Sequence, residues 1–231
     1  MIDLLSANTV KIYYINTSNI KSRPKVDQVL NKEEYGRYKR YLADQGRTEF
    51  FWGRYLLKAV MSSYLNIHPQ DIVFKKNQYG KLFLDSRFHQ KAIGFNLTHS
   101  HGIVAGAFVL EHDIGIDVEK ISRNISDIVS RFFSPEEKEY INRCYTSKKN
   151  LSYQIWTLKE AYIKAKGVGL SLPLESFSVF DDLGVFFYSK RLFFDYFLSL
   201  AIHNRENKQF RIELYDFNHL SPINSLKKKF F

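Results

Sequence analysis

The apolar positions of this chain fall into short strand-like runs set around two long helical stretches. Residues 11–15 read as an opening strand. Asn31 followed by Glu34 has the spacing of a capping box. It begins a helical region that runs to about residue 66, with a break near Gly46 and a mild interruption at Gly53. Residues 72–74 and 81–84 read as short strands around the turn Asn77-Gln78-Tyr79-Gly80. Residues 93–97 and 103–110 read as buried strands joined by a turn over Thr98-His99-Ser100-His101-Gly102. A second turn, Glu111-His112-Asp113, leads into a strand over 114–118. Ser134-Pro135-Glu136-Glu137 carries a helix start: serine as cap, proline first, glutamate third. A further helix covers 151–166 and stops at Gly167. Strands are expected at 177–180, 193–201 and 210–215. Strands and helices do not alternate strictly, so the pattern predicts an α+β fold rather than a doubly wound sheet. The expected division is residues 1–112 and 113–231, two tightly packed halves without a flexible linker.

Composition narrows the class. With Phe 20 and Tyr 15 in 231 residues the chain has the means to bury a core, which excludes a disordered protein. A lone cysteine, Cys144, forms no internal disulfide and favours a reducing compartment. The first twenty residues have no basic start followed by an apolar run, so no secretion signal is expected. The longest plainly apolar stretch, residues 102–110, is too short to span a bilayer. The expectation is a soluble cytoplasmic protein with no membrane partner. The formal charge is +10, of which +7 lies in residues 1–112 and +3 in the remainder. Such an excess attracts polyanions, acidic proteins or phosphorylated ligands, with ordinary solubilising charge as the plain alternative.

The chemistry concentrates in two motifs. In Gly115-Ile116-Asp117-Val118-Glu119-Lys120 the two acids are two apart in a β-branched run, so both point to one face of a strand. In Trp156-Thr157-Leu158-Lys159-Glu160-Ala161-Tyr162-Ile163-Lys164, Glu160 and Lys164 are four apart and share a helix face. Three hard oxygen donors and a lysine suit Mg²⁺ beside a phosphorylated ligand. Each motif alone has a plainer explanation, a solvated strand face or a surface i,i+4 pair. His99 fits a phosphate contact or a satisfied turn carbonyl. Arg47 and Thr48 fit a phosphate grip or a helix start, and Lys81 a ligand contact or an exposed turn.

The order of the motifs is more specific than any one of them. Arg47-Thr48, Gln78-Tyr79-Gly80-Lys81, Asn96-Leu97-Thr98-His99-Ser100, the Asp117/Glu119 strand, Arg131-Phe132-Phe133-Ser134, the Glu160/Lys164 helix and Gly167-Val168-Gly169-Leu170-Ser171-Leu172-Pro173 follow one another. Over roughly residues 30–180 this resembles the large monomeric class of 4′-phosphopantetheinyl transferases, the class of the surfactin-synthetase activator. The chain departs from the pattern at Thr98, where many relatives have serine, and at Tyr35, where a basic residue is common. Lys32 matches a family lysine, and Arg37, Lys39 and Arg40 are alternative replacements for the missing base.

The resemblance implies two similar α+β halves related by a pseudo-twofold, each a small sheet on a long helix, with the ligand cleft between them. It implies a monomer that moves the 4′-phosphopantetheine arm of coenzyme A onto a serine of an apo carrier protein, acyl, peptidyl or aryl, and releases adenosine 3′,5′-bisphosphate. Asp117, Glu119 and Glu160 match the metal-site acids, with Mg²⁺ expected and Mn²⁺ as the other fitting ion. Glu160, directly or through a bound water, is the expected base, though an ordinary carboxylate is a weak one. Lys164 matches a lysine near the transferring phosphate. Arg47, Thr48, Lys81, Thr98 and His99 match coenzyme A contacts. Carrier proteins are commonly acidic, so the positive charge would steer them, and Phe132 and Phe133 are candidates to touch the carrier, with core packing expected for at least one. Two competing classes are a nucleic-acid-binding module and a metal-free adaptor for carrier proteins. The first lacks a matching motif and would bring three carboxylates to a phosphate backbone; the second leaves the acid set without a task.

Overall fold

The computed structural model describes residues 6–219 apart from 21, 86, 88–91, 123, 146 and 205. The first five residues of the stretch read for a secretion signal, and residues 220–231 of the second half, lie outside the described residues.

The chain runs β1 (Thr9–Asn16), α1 (Lys32–Lys39), α2 (Asp44–Leu65), β2 (Phe74–Lys76), β3 (Leu82–Leu84), β4 (Ile93–Ser100), β5 (Ile103–Leu110) and β6 (Ile114–Lys120). Three helices follow, α3 (Ser126–Phe132), α4 (Pro135–Arg143) and α5 (Lys148–Lys166), then β7 (Val185–Leu192), β8 (Tyr196–His203) and β9 (Arg211–Asp216). One sheet has the order β4-β5-β1-β9 and the other β6-β8-β7, with β2 and β3 a separate hairpin. β9 pairs in parallel with β1, so the end of the chain contributes a strand to the first sheet. The architecture is α+β, as the pattern predicts.

Period-two alternation sorts the residues into layers. On β5, Val104 and Phe108 pack against α2 residues such as Phe51, Leu57 and Met61. The alternate positions Ile103, Ala105, Ala107 and Val109 pack against Ile116, Val118, Leu198 and Leu200 of the second sheet. The far face of that sheet carries α5 through Ala161, Tyr162 and Ala201. The stack is therefore helix α2, sheet, sheet, helix α5.

The helix starts follow local chemistry. Asn31 and Glu34 form the expected capping box on α1, and Ser134 and Glu137 form one on α4 with Pro135 in the first turn. Gly167, at φ 68, ends α5 in the left-handed conformation that glycine adopts without steric cost. The break expected near Gly46 falls earlier: α1 gives way at Arg40, Ala43 is extended, and α2 restarts at Asp44 with Gly46 inside it.

Three further expectations are corrected. Residues 98–100 are strand rather than turn, because β4 continues to Ser100 and only His101 (φ 45) and Gly102 (φ 87) make the turn. That is the two-residue hairpin with both central residues left-handed. Residues 177–180 form no strand; the segment is tied by a local turn from Ser178 N–H to Asp181. The run read as one strand over 193–201 is instead the tip of the β7–β8 hairpin followed by β8.

Candidate active site

β4 and β6 are edge strands of different sheets, and side chains join them. Asn96 Oδ1 accepts from Ile116 N–H (3.1 Å), Thr98 Oγ1 from Val118 N–H (3.3 Å) and Ser100 Oγ from Lys120 N–H (3.4 Å). These groups stand where a neighbouring strand's carbonyls would, and they satisfy an exposed edge. The same hydroxyls also donate. Thr98 bonds Asp117 Oδ1 at 3.1 Å and Ser100 bonds Glu119 Oε2 at 2.9 Å. The seam between the sheets therefore aims both carboxylates.

Gly115 sets the distance to α5. A Cβ there would lie 2.0 Å from the Ala161 carbonyl oxygen and 2.4 Å from Ala165 N, so only glycine lets this strand lie directly on the helix backbone. Lys164 Nζ lies 2.6 Å from Asp117 Oδ1 and 3.4 Å from Thr98 Oγ1. Glu160, one turn earlier, shares that face.

The site is a crowded cluster of acids with Lys164 among them. Burial pushes Glu160 up to about 7; Lys164 pulls against this, and the charges of Asp117 and Glu119 add to it. Burial also raises Glu119, with Asp117 adding, and raises Asp117 against the pull of Lys164. Burial works to lower Lys164, but Asp117, Glu160 and Glu119 outweigh it and hold the ammonium above its usual range. Asp117 Oδ2 is buried with no hydrogen-bond partner among the described residues. Among these residues no three metal-ligating side chains already close into a cage, and Lys164 sits on the other oxygen of Asp117. An unpartnered carboxylate oxygen beside two further acids of raised pKa fits a hard cation such as Mg²⁺.

The remaining sequence candidates divide. Thr98 belongs to the cluster. His99, the next residue on β4, points to the opposite face, where its Nδ1 is 3.1 Å from Glu49 Oε2 and its ring is half exposed. Lys81 Nζ caps the end of α5, donating to Ala165 O at 2.7 Å, with Asp113 at 3.7 Å. Arg47 bonds the Tyr41 carbonyl at 2.8 Å and Asp44 at 3.2 Å, and Thr48 is partly buried on the first turns of α2. Phe133 is fully buried, so core packing takes at least that one as expected, while Phe132 is half-buried against Trp156.

Sequence reasoning missed Ser100, which a longer β4 would have placed two residues beyond Thr98 on the same face. It missed Glu49, whose partner is distant in sequence. It passed over Lys159, the sequence neighbour of Glu160, which lies fully buried and bonds Glu137 (2.7 and 2.8 Å) and the Phe177 carbonyl (2.7 Å).

Comparison with known proteins decides the family. Residues 23–110 match a family model described as the N-terminal part of 4′-phosphopantetheinyl transferase, and residues 113–217 one described as the 4′-phosphopantetheinyl transferase superfamily. The chain is 31% identical over 174 residues to the 4′-phosphopantetheinyl transferase ffp of Bacillus subtilis, a match covering 74% of this chain and 76% of the relative. The chain belongs to the 4′-phosphopantetheinyl transferase superfamily. Two further relatives of this superfamily are gsp of Aneurinibacillus migulanus and HetI of Nostoc sp. The first is 35% identical over 151 residues (64% of this chain), the second 32% over 145 residues (62% of this chain). The matched stretch spans 60% and 61% of the length of those two proteins. Among the described residues, no helix of this phosphopantetheinyl transferase family member is long and apolar enough to cross a membrane.

Proposed function

We propose that this chain transfers the 4′-phosphopantetheine arm of coenzyme A to a serine of an acidic apo carrier protein in the cytoplasm, as a Mg²⁺-dependent monomer. The observation that carries this reading is the convergence of Asp117, Glu119, Glu160 and Lys164 at the β6–α5 contact, with a buried Asp117 oxygen unpartnered among the described residues. The serine oxygen forms a bond to the β-phosphorus of coenzyme A. The bond from that phosphorus to adenosine 3′,5′-bisphosphate breaks, and the serine proton passes to Glu160. Asp117, Glu119 and Glu160 would hold Mg²⁺, which supplies positive charge to the pyrophosphate when bound.

In the metal-free site burial pushes Glu160 up to about 7, more proton-avid than an ordinary carboxylate, and a cation held by the same group would pull it back down, so positioning supplies much of its effect as a base. Lys164, released from Asp117, has the reach and charge to stabilise the transferring phosphate. Lys81, Arg47, Thr48 and His99 are proposed as coenzyme A contacts. The first two must then exchange present bonds for phosphate.

The division into halves at residue 112 belongs to the same proposal. It is supported by the two family matches, which meet between residues 110 and 113, and by one long helix on each sheet, while β9 crosses from the second half to pair with β1 of the first. The test is release of adenosine 3′,5′-bisphosphate from coenzyme A, followed by chromatography. Release is expected only with Mg²⁺ and an apo carrier that keeps its serine. No release with any carrier class would reject the reading.

A further inference from the structure

We propose that Glu49 is a positioning residue that fixes the ring of His99 so that its Nε2 is presented to the 3′-phosphate of coenzyme A. The proposal rests on the transfer reading above for its ligand, but the Glu49–His99 arrangement itself stands on the geometry.

Glu49 is 6% exposed, on α2, under the end of β4. Its Oε1 accepts from Gln45 Nε2 and from the Gly102 N–H, each at 3.1 Å. Its Oε2 lies 3.1 Å from His99 Nδ1. Burial works to raise this carboxylate, but the bonds from His99, Gln45 and Gly102 outweigh it and hold it at about 2. It is therefore an anion that only accepts. Nδ1 must carry a hydrogen to meet it, which settles the orientation of the imidazole. Nε2, on the other edge of a ring whose side chain is 52% exposed, is left for a ligand. Neutral, this ring would offer a phosphate only a lone pair; with a second proton it becomes a donor aimed by a buried counter-charge.

Thr98, the preceding residue, bonds Asp117 from the opposite face of β4, so two neighbouring residues tie one strand to the acidic cluster and to Glu49. The plainer role for Glu49 is to clamp the His101-Gly102 turn through its bond to Gly102. The two roles separate experimentally.

Calorimetry with coenzyme A and 3′-dephospho-coenzyme A on wild type, Glu49→Gln, His99→Ala and the double variant tests the ligand half. Glu49→Gln should weaken coenzyme A about tenfold, the scale of a charged hydrogen bond, and leave the dephospho compound unchanged. In the His99→Ala background the same substitution should cost nothing further. Equal losses for both ligands, or an undiminished loss without His99, would overturn the proposal in favour of a turn clamp. Nitrogen-15 NMR of the His99 ring tests the other half without any ligand: a protonated Nδ1 is expected, and a bare Nδ1 overturns it. A wild type that binds neither compound rejects the coenzyme A reading, while the ring spectrum still decides what Glu49 does.

Discussion

Gly115 lies so close to Ala161 that a Cβ on the glycine would be 2.0 Å from the alanine carbonyl oxygen. This approach brings Glu160 and Lys164 over Asp117 and Glu119. Gly115→Ala should lower stability by about 1–3 kcal/mol, as overpacking of a filled interior does, and should reduce turnover by displacing α5. Chemical denaturation reads the first effect and a carrier-transfer assay the second. Unchanged stability and turnover together would show that the helix does not need this contact.

Lys159 and Glu137 form a fully buried pair between α5 and α4. Removing one charge strands the other, at a cost of about 3–5 kcal/mol. Lys159→Met should therefore unfold far more easily than wild type. Lys159→Met combined with Glu137→Gln should recover part of the loss, because neither charge is then left buried alone and an oxygen still accepts from the Ser134 or the Val179 N–H group. If the double variant is the sum of the two singles, the pair is not coupled and α4 is held by other contacts.

Glu160 gives a pH dependence of defined sign. Its folded pKa is raised from 4.5 to about 7, so between those values the folded state holds more proton than the unfolded state, and stability falls as pH rises. Asp117 and Glu119 are shifted in the same direction and deepen the slope. Thermal melts of the metal-free protein should show Tm falling across this window, with a shallower fall in Glu160→Gln. Mg²⁺ should raise Tm most at the upper end, where the acids are ionised. A flat profile in wild type would contradict the burial of this cluster.

The helix pair separates catalysis from surface decoration. Were Glu160 and Lys164 an exposed ion pair, each substitution would cost roughly 0.3–0.5 kcal/mol of stability with normal activity. As active-site groups, Glu160→Gln should lower turnover about 10²-fold or more. Lys164→Ala should lower turnover while keeping part of the coenzyme A affinity, because the charge it meets grows mainly during reaction. Lys164→Ala also frees Asp117 Oδ1, so its metal affinity should rise or hold rather than fall.

Local signals carried the legible part of this fold. The capping boxes at Asn31 and Ser134 and the glycine stop at Gly167 are written within a few neighbouring residues, and the helices obey them. The acidic motifs were legible because strand and helix periods alone put each pair on one face. The β7–β8 turn was not: Phe193 adopts φ 56 within an aromatic run, where glycine or asparagine would have marked it. The end of β4 is hidden from the pattern because Thr-His-Ser-His-Gly reads as polar turn, while two of its polar side chains are buried in a seam with β6. That seam, and the Glu49–His99 contact, join residues far apart in sequence and leave no periodic trace.

The most direct measurement of the central claim is the intact mass of several apo carriers after incubation with coenzyme A and Mg²⁺, using wild type and folded Asp117→Ala. Wild type should add one phosphopantetheine to the serine of at least one carrier class, and Asp117→Ala should add none. Carriers left unmodified by wild type, or modified equally by the folded variant, would contradict the assignment of this site.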